Sequence, residues 1–285
     1  KSLKAMTYVT KVVGRHLLDR LKHPRGTRLL MGNALVGRLL LSLRERGVTL
    51  LTEAQAVALQ RDSGGAITGI TIEQRGQKKQ IAVRGGVVLA SGGFNRHPQR
   101  RAQLLPGADL QWCPGAPGHT GTAHDLAESV GAVYGKGAMS NAFWAPVSLR
   151  QRADGSTAVF PHFVFDRAKP GTVTVDAQGQ RFLNESTSYH LFGLAMQGAR
   201  PAVPAYLIAD AEALRKYGLG MVRPKGMGLA SALKDGYLTS ASSIAELARK
   251  LQLPQANLTQ TIERFNGYWQ GGTDPEFARG ATAYQ

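Results

Sequence analysis

Four apolar residues in an unbroken run, Val87 to Ala90, stand between two glycine pairs in "GGVVLASGGF" (85–94). A strand that alternates apolar and polar residues can leave one face in water, whereas an unbroken apolar run has no face to leave there. Such a run belongs in a parallel sheet covered on both faces, which points to an α/β fold. It leads straight into Gly92-Gly93, where backbone without a Cβ can approach a ligand closely. Ligands of doubly wound sheets sit at the carboxyl ends of strands. On the glycines alone, a simple turn after a core strand is the better account.

Upstream, Leu3, Met6, Val9, Val13, Leu17 and Leu21 recur at three- and four-residue steps and predict a helix over 3–23. A second helix is predicted over 33–46, stopped by Gly47. Strand signals follow at 48–51, 56–60, 66–73 and 79–83, with turns at Asp62–Gly65 and Arg75–Gln77, a β-meander. After a loop rich in Pro and Gly (106–121), "AHDLAESVGA" predicts a helix with Ala127 and Val130 inward. Residues 159–175 are aromatic-rich and β-like, and 202–217 predict a strand and a short helix. Ser243 to Glu246 is a capping box opening "SIAELARKL". Leu258, Ile262, Phe265 and Trp269 mark one face of a final helix. The change of character places a domain boundary near residue 146.

The net charge of +16 over 285 residues is concentrated early. Residues 1–105 hold 19 Lys and Arg against 5 Asp and Glu, and residues 106–285 hold 16 against 14. The basic residues are scattered singly (Arg15, Arg20, Arg28, Arg38, Arg44), with no aromatic-interleaved stripe, so no nucleic-acid partner is expected. A solvated basic face, or one that meets a diphosphate cofactor, fits better. The most apolar stretch, Leu29 to Leu43, is broken by Asn33 and Arg38 and is too short to span a membrane. Cys113, the only cysteine, excludes an internal disulfide and fits a reducing, cytoplasmic location.

Most chemical motifs are absent. "GLGMVR" (218–223) and "GMGLAS" (226–231) lack the third glycine and the preceding strand of a dinucleotide fingerprint. His119, His124 and Asp125 match no standard zinc spacing, so no metal is expected. Cys113 has no recognisable base beside it, and no serine sits in a nucleophile elbow. The remaining candidate is "QRFLNESTSYHLFG" (180–193). Ser186 or Thr187 could cap a following helix with Tyr189 half-buried beside it, or the phenol of Tyr189 could face a substrate. The residues alone support both accounts.

Five segments, in order, resemble the FAD-dependent family of fumarate reductase flavoproteins and 3-ketosteroid dehydrogenases. They are residues 32–59, "GVVLASGGFNRHPQRR" (86–101), "GHTGTAHDLAESVGAVYG" (118–135), "RAKPGTVTVDAQGQRFLNESTSY" (167–189) and "TIERFNGYWQGGTDPEFARGATAY" (261–284). The resemblance implies an α/β plus α+β architecture. Residues 1–145 would form a partial Rossmann-like FAD-binding domain, without its first βαβ unit and its C-terminal return segment, and 146–285 an α+β substrate cap. The isolated piece is then expected not to turn over. Ala90, Ser91, Gly92 and Gly93 resemble the turn that passes close to FAD, and Val57 the position whose backbone meets the adenine. Thr120, Gly121, Thr122 and Ala123 stand where the family usually reads T-G-D-G, so the resemblance does not carry over the aspartate's flavin contact, though it does not abolish the site.

Tyr189 occupies the position that is typically an arginine in fumarate reductases and a tyrosine in 3-ketosteroid dehydrogenases. A guanidinium suits an anionic substrate, and a phenol of lowered pKa can take a proton from carbon beside a carbonyl. The resemblance therefore implies that Tyr189 is the proton acceptor and FAD the hydride acceptor. The substrate would be a small hydrophobic ketone, in contact with Trp144, Phe163, Phe165 and Glu185, with Phe160 adding apolar wall.

Overall fold

Helices form where the apolar spacing is helical: α1 (Leu3–Lys22) and α2 (Met31–Glu45) match their predicted spans within two residues. The computed structural model describes residues 2–135, 140–198 and 201–283, and the architecture is mixed α/β. Two compact units divide the chain: residues 1–58 with 70–82, and residues 59–69 with 83–285.

In the first unit, Ser2 caps α1 by accepting the Ala5 N–H. Gly47 follows α2 at φ +67°, the left-handed stop that glycine takes without a Cβ penalty. The apolar stripe of α1 is present but faces water, with Leu3 and Leu21 both about 80% exposed. The meander is β1 (Ala54–Arg61), β2 (Ile67–Gln74) and β3 (Gln77–Ala82), in the order β1-β2-β3, with its residues 59–69 counted in the second unit. Residues 48–51, expected as a strand, are irregular.

Residues 87–90 also depart from expectation. They form no strand; Val88 is 91% exposed, and no described strand lies alongside. A parallel strand draws its hydrogen bonds entirely from neighbours, so an apolar run without one has no ladder to join.

In the second unit, α3 (Pro98–Leu104) and α4 (Thr122–Ser129) follow the glycine turn. Leu126 is the buried residue of α4, while Ala127 and Val130 are half-buried. Strands β4 (Val147–Gln151) and β5 (Thr157–Pro161) pair antiparallel, Val147 opposite Pro161 and Gln151 opposite Thr157. After α5 (Val164–Arg167), β6 (Thr172–Val175) pairs antiparallel with β7 (Tyr206–Ala209), separated in sequence by α6 (Tyr189–Met196). Then come α7 (Ala211–Tyr217), α8 (Leu229–Lys234), α9 (Ile244–Leu251) and α10 (Gln255–Gly271).

The core gathers Val175 of β6, Ala248 of α9, Leu253 between α9 and α10, and Leu258 of α10, with Tyr206 and Ile208 of β7 packed against it. Ser243 caps α9 by accepting the Glu246 N–H, as its capping box predicts. The return bond from Glu246 goes to Ser242, one residue earlier than the box prescribes. Along α10 the predicted face fades outward, from fully buried Leu258 to Trp269 at 77% exposure. The turn between β6 and α6 fits against α10 at Gly179 (φ +71°), where a Cβ would lie 3.1 Å from the Leu258 nitrogen. Thr261 Oγ1 donates to the Gly179 carbonyl at 2.8 Å and closes that contact.

Candidate functional site

The two glycine-bearing loops of the second unit are joined to each other. The Gly121 N–H donates to Gly93 O at 3.2 Å and the Arg96 N–H to His119 O at 2.8 Å. Gly92 (φ +98°) has no room for a Cβ, which would lie 2.9 Å from the His119 ring. Gly121 (φ +77°) is the N-cap of α4, hemmed in by Phe94, His97 and Arg100. Arg96 ties the loop further by donating to the carbonyls of Cys113 and Gly115. Arg100 binds Asp125 and Glu128, and their hydrogen bonds raise its pKa while it holds both carboxyls below their usual range. His124 stacks on Tyr134 and meets its hydroxyl at 2.6 Å. His124 and Asp125 thus belong to one cluster built on Arg100 and Tyr134, while the His119 ring backs Gly92.

Ala90, Ser91 and Gly92 form the exposed edge of this cluster, with Gly93 half-buried behind them. Among the described residues, no protein acceptor takes their backbone N–H groups. Thr120 and Thr122 stand beside Gly121 with their hydroxyls 3.0 Å apart. Unspent N–H donors on a Cβ-poor edge suit a ligand rich in acceptor oxygens, and a dinucleotide is such a ligand. The site residues present therefore fit FAD. Val57 lies half-buried on β1 in the first unit.

Tyr189 is the first residue of α6 and is 43% exposed. The cap is Ser188, whose Oγ accepts the Leu191 N–H, in place of the expected Ser186 or Thr187. Ser186 is buried, and Thr187 donates its N–H back to the Asn184 carbonyl in a turn. Phe163 meets the Tyr189 ring edge-on, centroids 5.5 Å apart, and Phe165 follows it, 69% exposed. Trp144 packs where a Cβ on Gly193 would be, and its backbone N–H donates to Nδ1 of His190, which shares α6 with Gly193. Phe160 lies half-buried in β5 beside His162. An aromatic ledge with one exposed phenol results.

Glu185 lies elsewhere, and this corrects the expected substrate contact: it has no exposed surface. Arg181 grips it through two bonds (Nε–Oε1 3.0 Å, Nη2–Oε2 2.8 Å), while Arg279 and the Thr174 N–H take the remaining acceptor positions. Arg181 also reaches Asp274 at 2.9 Å and Glu276 at 3.4 Å. Burial works to lower the Arg181 pKa, but the bonds to Glu185 and Asp274 outweigh it and raise the value. Arg167 lies buried beside this network, donates to the Glu185 and Thr187 carbonyls, and is lowered to about 10 by burial. Together these arginines fix the turn that delivers Tyr189 to the surface. The i,i+4 spacing of Arg181 and Glu185 was the one signal of this network in the sequence; Asp274, 93 residues away, gave none.

The model of the family described as "FAD binding domain" matches residues 5–285. The chain belongs to this family. It is 32% identical over its whole length to 4-oxocyclohex-2-ene-1-carboxylate 5-dehydrogenase of Sinomonas cyclohexanicum, of which it covers 49%. It is 34% identical, over 89% of its length, to 3-oxosteroid 1-dehydrogenase of Mycolicibacterium smegmatis, covering 46% of that protein. Among solved structures, 3-ketosteroid delta1-dehydrogenase from Sterolibacterium denitrificans, in complex with 1,4-androstadiene-3,17-dione, superposes with a TM-score of 0.81 at 31% identity, covering 99% of this chain and 52% of that one. The chain spans about half the length of the relatives it matches. The family's cofactor is FAD. Among the described residues, no helix is long and apolar enough to cross a membrane.

Proposed function

We propose that the protein carrying this chain is an FAD-dependent oxidoreductase that introduces a carbon–carbon double bond next to a ring ketone, with a 3-ketosteroid or a similar flat, hydrophobic ketone as substrate. In this reading residues 1–145 contribute part of a Rossmann-like FAD-binding domain and residues 146–285 an α+β substrate cap. The observation that carries the proposal is the placement of Tyr189: an exposed phenol at the start of α6, edge-on to Phe163. A phenol is neutral and tolerates an apolar substrate, whereas a guanidinium would demand an anion. Two of the relatives matched over most of the chain are, by name, ring-ketone dehydrogenases.

Bound FAD supplies the hydride acceptor. Tyr189 takes the proton from the carbon beside the carbonyl, and its oxygen holds that proton. Phe163, Phe165 and Trp144 give the ring flat apolar surface and keep water from the reacting carbon. Glu185 takes part indirectly, by holding the turn on which Tyr189 stands. Ala90, Ser91, Gly92, Gly93, Thr120, Gly121 and Thr122 receive the cofactor.

Turnover of 4-androstene-3,17-dione with an artificial electron acceptor tests the reading. Dehydrogenation of the steroid, without reduction of fumarate by the dithionite-reduced protein, is expected. Fumarate reduction without steroid turnover would contradict it.

A further inference from the structure

The second unit also contains a cavity of about 1130 Å3 that includes neither Tyr189 nor the glycine loops. Phe192, Leu229 and Leu233 give it apolar walls, and Ser148, His162 and Tyr237 form one polar patch of a lining that also includes Arg215, Lys225, Thr239 and Ser240. Those three groups belong to one hydrogen-bonded chain that ends on Asp166. His162 Nδ1 bonds Asp166 Oδ2, His162 Nε2 lies 2.8 Å from Ser148 Oγ, and Ser148 Oγ lies 2.7 Å from the Tyr237 hydroxyl. Two backbone donors close the ends: Gly220 N–H to Asp166 Oδ1 at 3.0 Å and Met221 N–H to the Tyr237 oxygen at 3.2 Å. Gly220 is required there, since a Cβ would lie 2.2 Å from the Tyr237 oxygen.

With Asp166 ionised and His162 neutral, the donor inventory sets the direction of each bond in this chain. An ionised carboxylate only accepts, so a neutral His162 carries its hydrogen on Nδ1 and accepts at Nε2. Ser148 must then donate to Nε2, and Tyr237 must donate to Ser148. Each hydroxyl hydrogen is spent inside the chain. What this chain leaves for a ligand is one lone pair on Ser148 Oγ and one on the Tyr237 oxygen, and no hydroxyl donor of its own.

We propose that this cavity is a second ligand site, selective for an apolar alcohol that donates its hydroxyl hydrogen to the Ser148–Tyr237 acceptor pair. A ketone or an ether, which can only accept, finds no partner in that pair. The inference stands on the geometry of this unit and does not depend on the role given to Tyr189.

Isothermal titration calorimetry at pH 8 with 2-decalol and its methyl ether tests it, because the two differ in the donated hydrogen. The alcohol should bind about tenfold more tightly, the worth of one hydrogen bond to a desolvated acceptor. In Ser148→Ala the Tyr237 hydrogen is released toward the cavity, so the ether should gain and the ratio fall to about one. Tyr237→Phe should retain the preference through Ser148, and Tyr189→Phe should leave it unchanged. Equal binding of alcohol and ether to the unaltered protein, or no binding of either, would overturn the proposal. So would a ratio unmoved by Ser148→Ala or abolished by Tyr189→Phe. If the Ser148 and Tyr237 variants do not fold, the ratio in the unaltered protein decides alone.

Discussion

Replacing Arg181 by methionine removes a cation that has no exposed side-chain surface and leaves its partners in place. Glu185 is equally inaccessible and Asp274 is 6% exposed, so two carboxylates would lose their principal counter-charge where water cannot replace it. Breaking a buried pair from one side costs about 3–5 kcal/mol, chiefly for the charge left behind. Arg279 still stands 3.3 Å from Glu185 Oε2, which places the expected loss near the lower end, at about 3 kcal/mol. The guanidinium is also sandwiched between Phe265 and Phe277, at 4.9 and 5.0 Å from their centroids, and methionine retains part of that packing. Urea unfolding followed by far-UV circular dichroism should show the midpoint lowered with an unchanged slope, and melting should fall by about 6 °C at roughly 2 °C per kcal/mol. Pairing it with Glu185→Gln, which removes the stranded charge, should return at least about 1 kcal/mol as coupling. A single-variant loss below about 1 kcal/mol, or strict additivity in the double variant, would refute this account of the network.

The same network predicts an acid limb. Burial raises the Asp274 pKa, but the Arg181 bond and the N–H groups of Phe277 and Arg279 outweigh it and hold the carboxyl below its ordinary 3.8. Its stabilisation is therefore complete above pH 3.8 and is lost as pH falls below that value; in Asp274→Asn, stability measured by urea titration should depend less steeply on pH there. Gly92→Ala combines a φ of +98° with a Cβ 2.9 Å from the His119 ring, so about 1–3 kcal/mol of stability should be lost. Fluorescence titration should also show weaker FAD binding, because the N–H groups of residues 90–92 are displaced; unchanged affinity would remove that edge from the cofactor site.

Local signals carried far in this sequence. The spacing of α1, the Asp62–Gly65 turn and the Ser243–Glu246 box each lie within one helix or hairpin, where short-range physics decides the outcome. Residues 87–90 show the opposite case: an unbroken apolar run specifies burial, but the backbone becomes a strand only when another strand lies beside it. The cap of α6 was misplaced by a residue or two because Ser186, Thr187 and Ser188 are equivalent in propensity, and only the Asn184 turn selects Ser188. Tyr189 could be singled out in the sequence, while the turn that presents it rests on Arg279 and Asp274, about 90 residues on. The Ser148–Tyr237 bond joins residues 89 apart and left no trace beyond the i,i+4 spacing of His162 and Asp166.

The central claim is that the Tyr189 phenol accepts a proton. Anaerobic stopped-flow mixing of the complete, FAD-loaded protein that carries this chain with 4-androstene-3,17-dione, followed by the loss of flavin absorbance, tests it in a single turnover. The account predicts that Tyr189→Phe binds the steroid with similar affinity and slows that loss at least about a hundredfold, the usual size of acid–base catalysis. Bleaching of the phenylalanine variant at the unaltered rate would contradict it and return Tyr189 to a packing role beside Phe163.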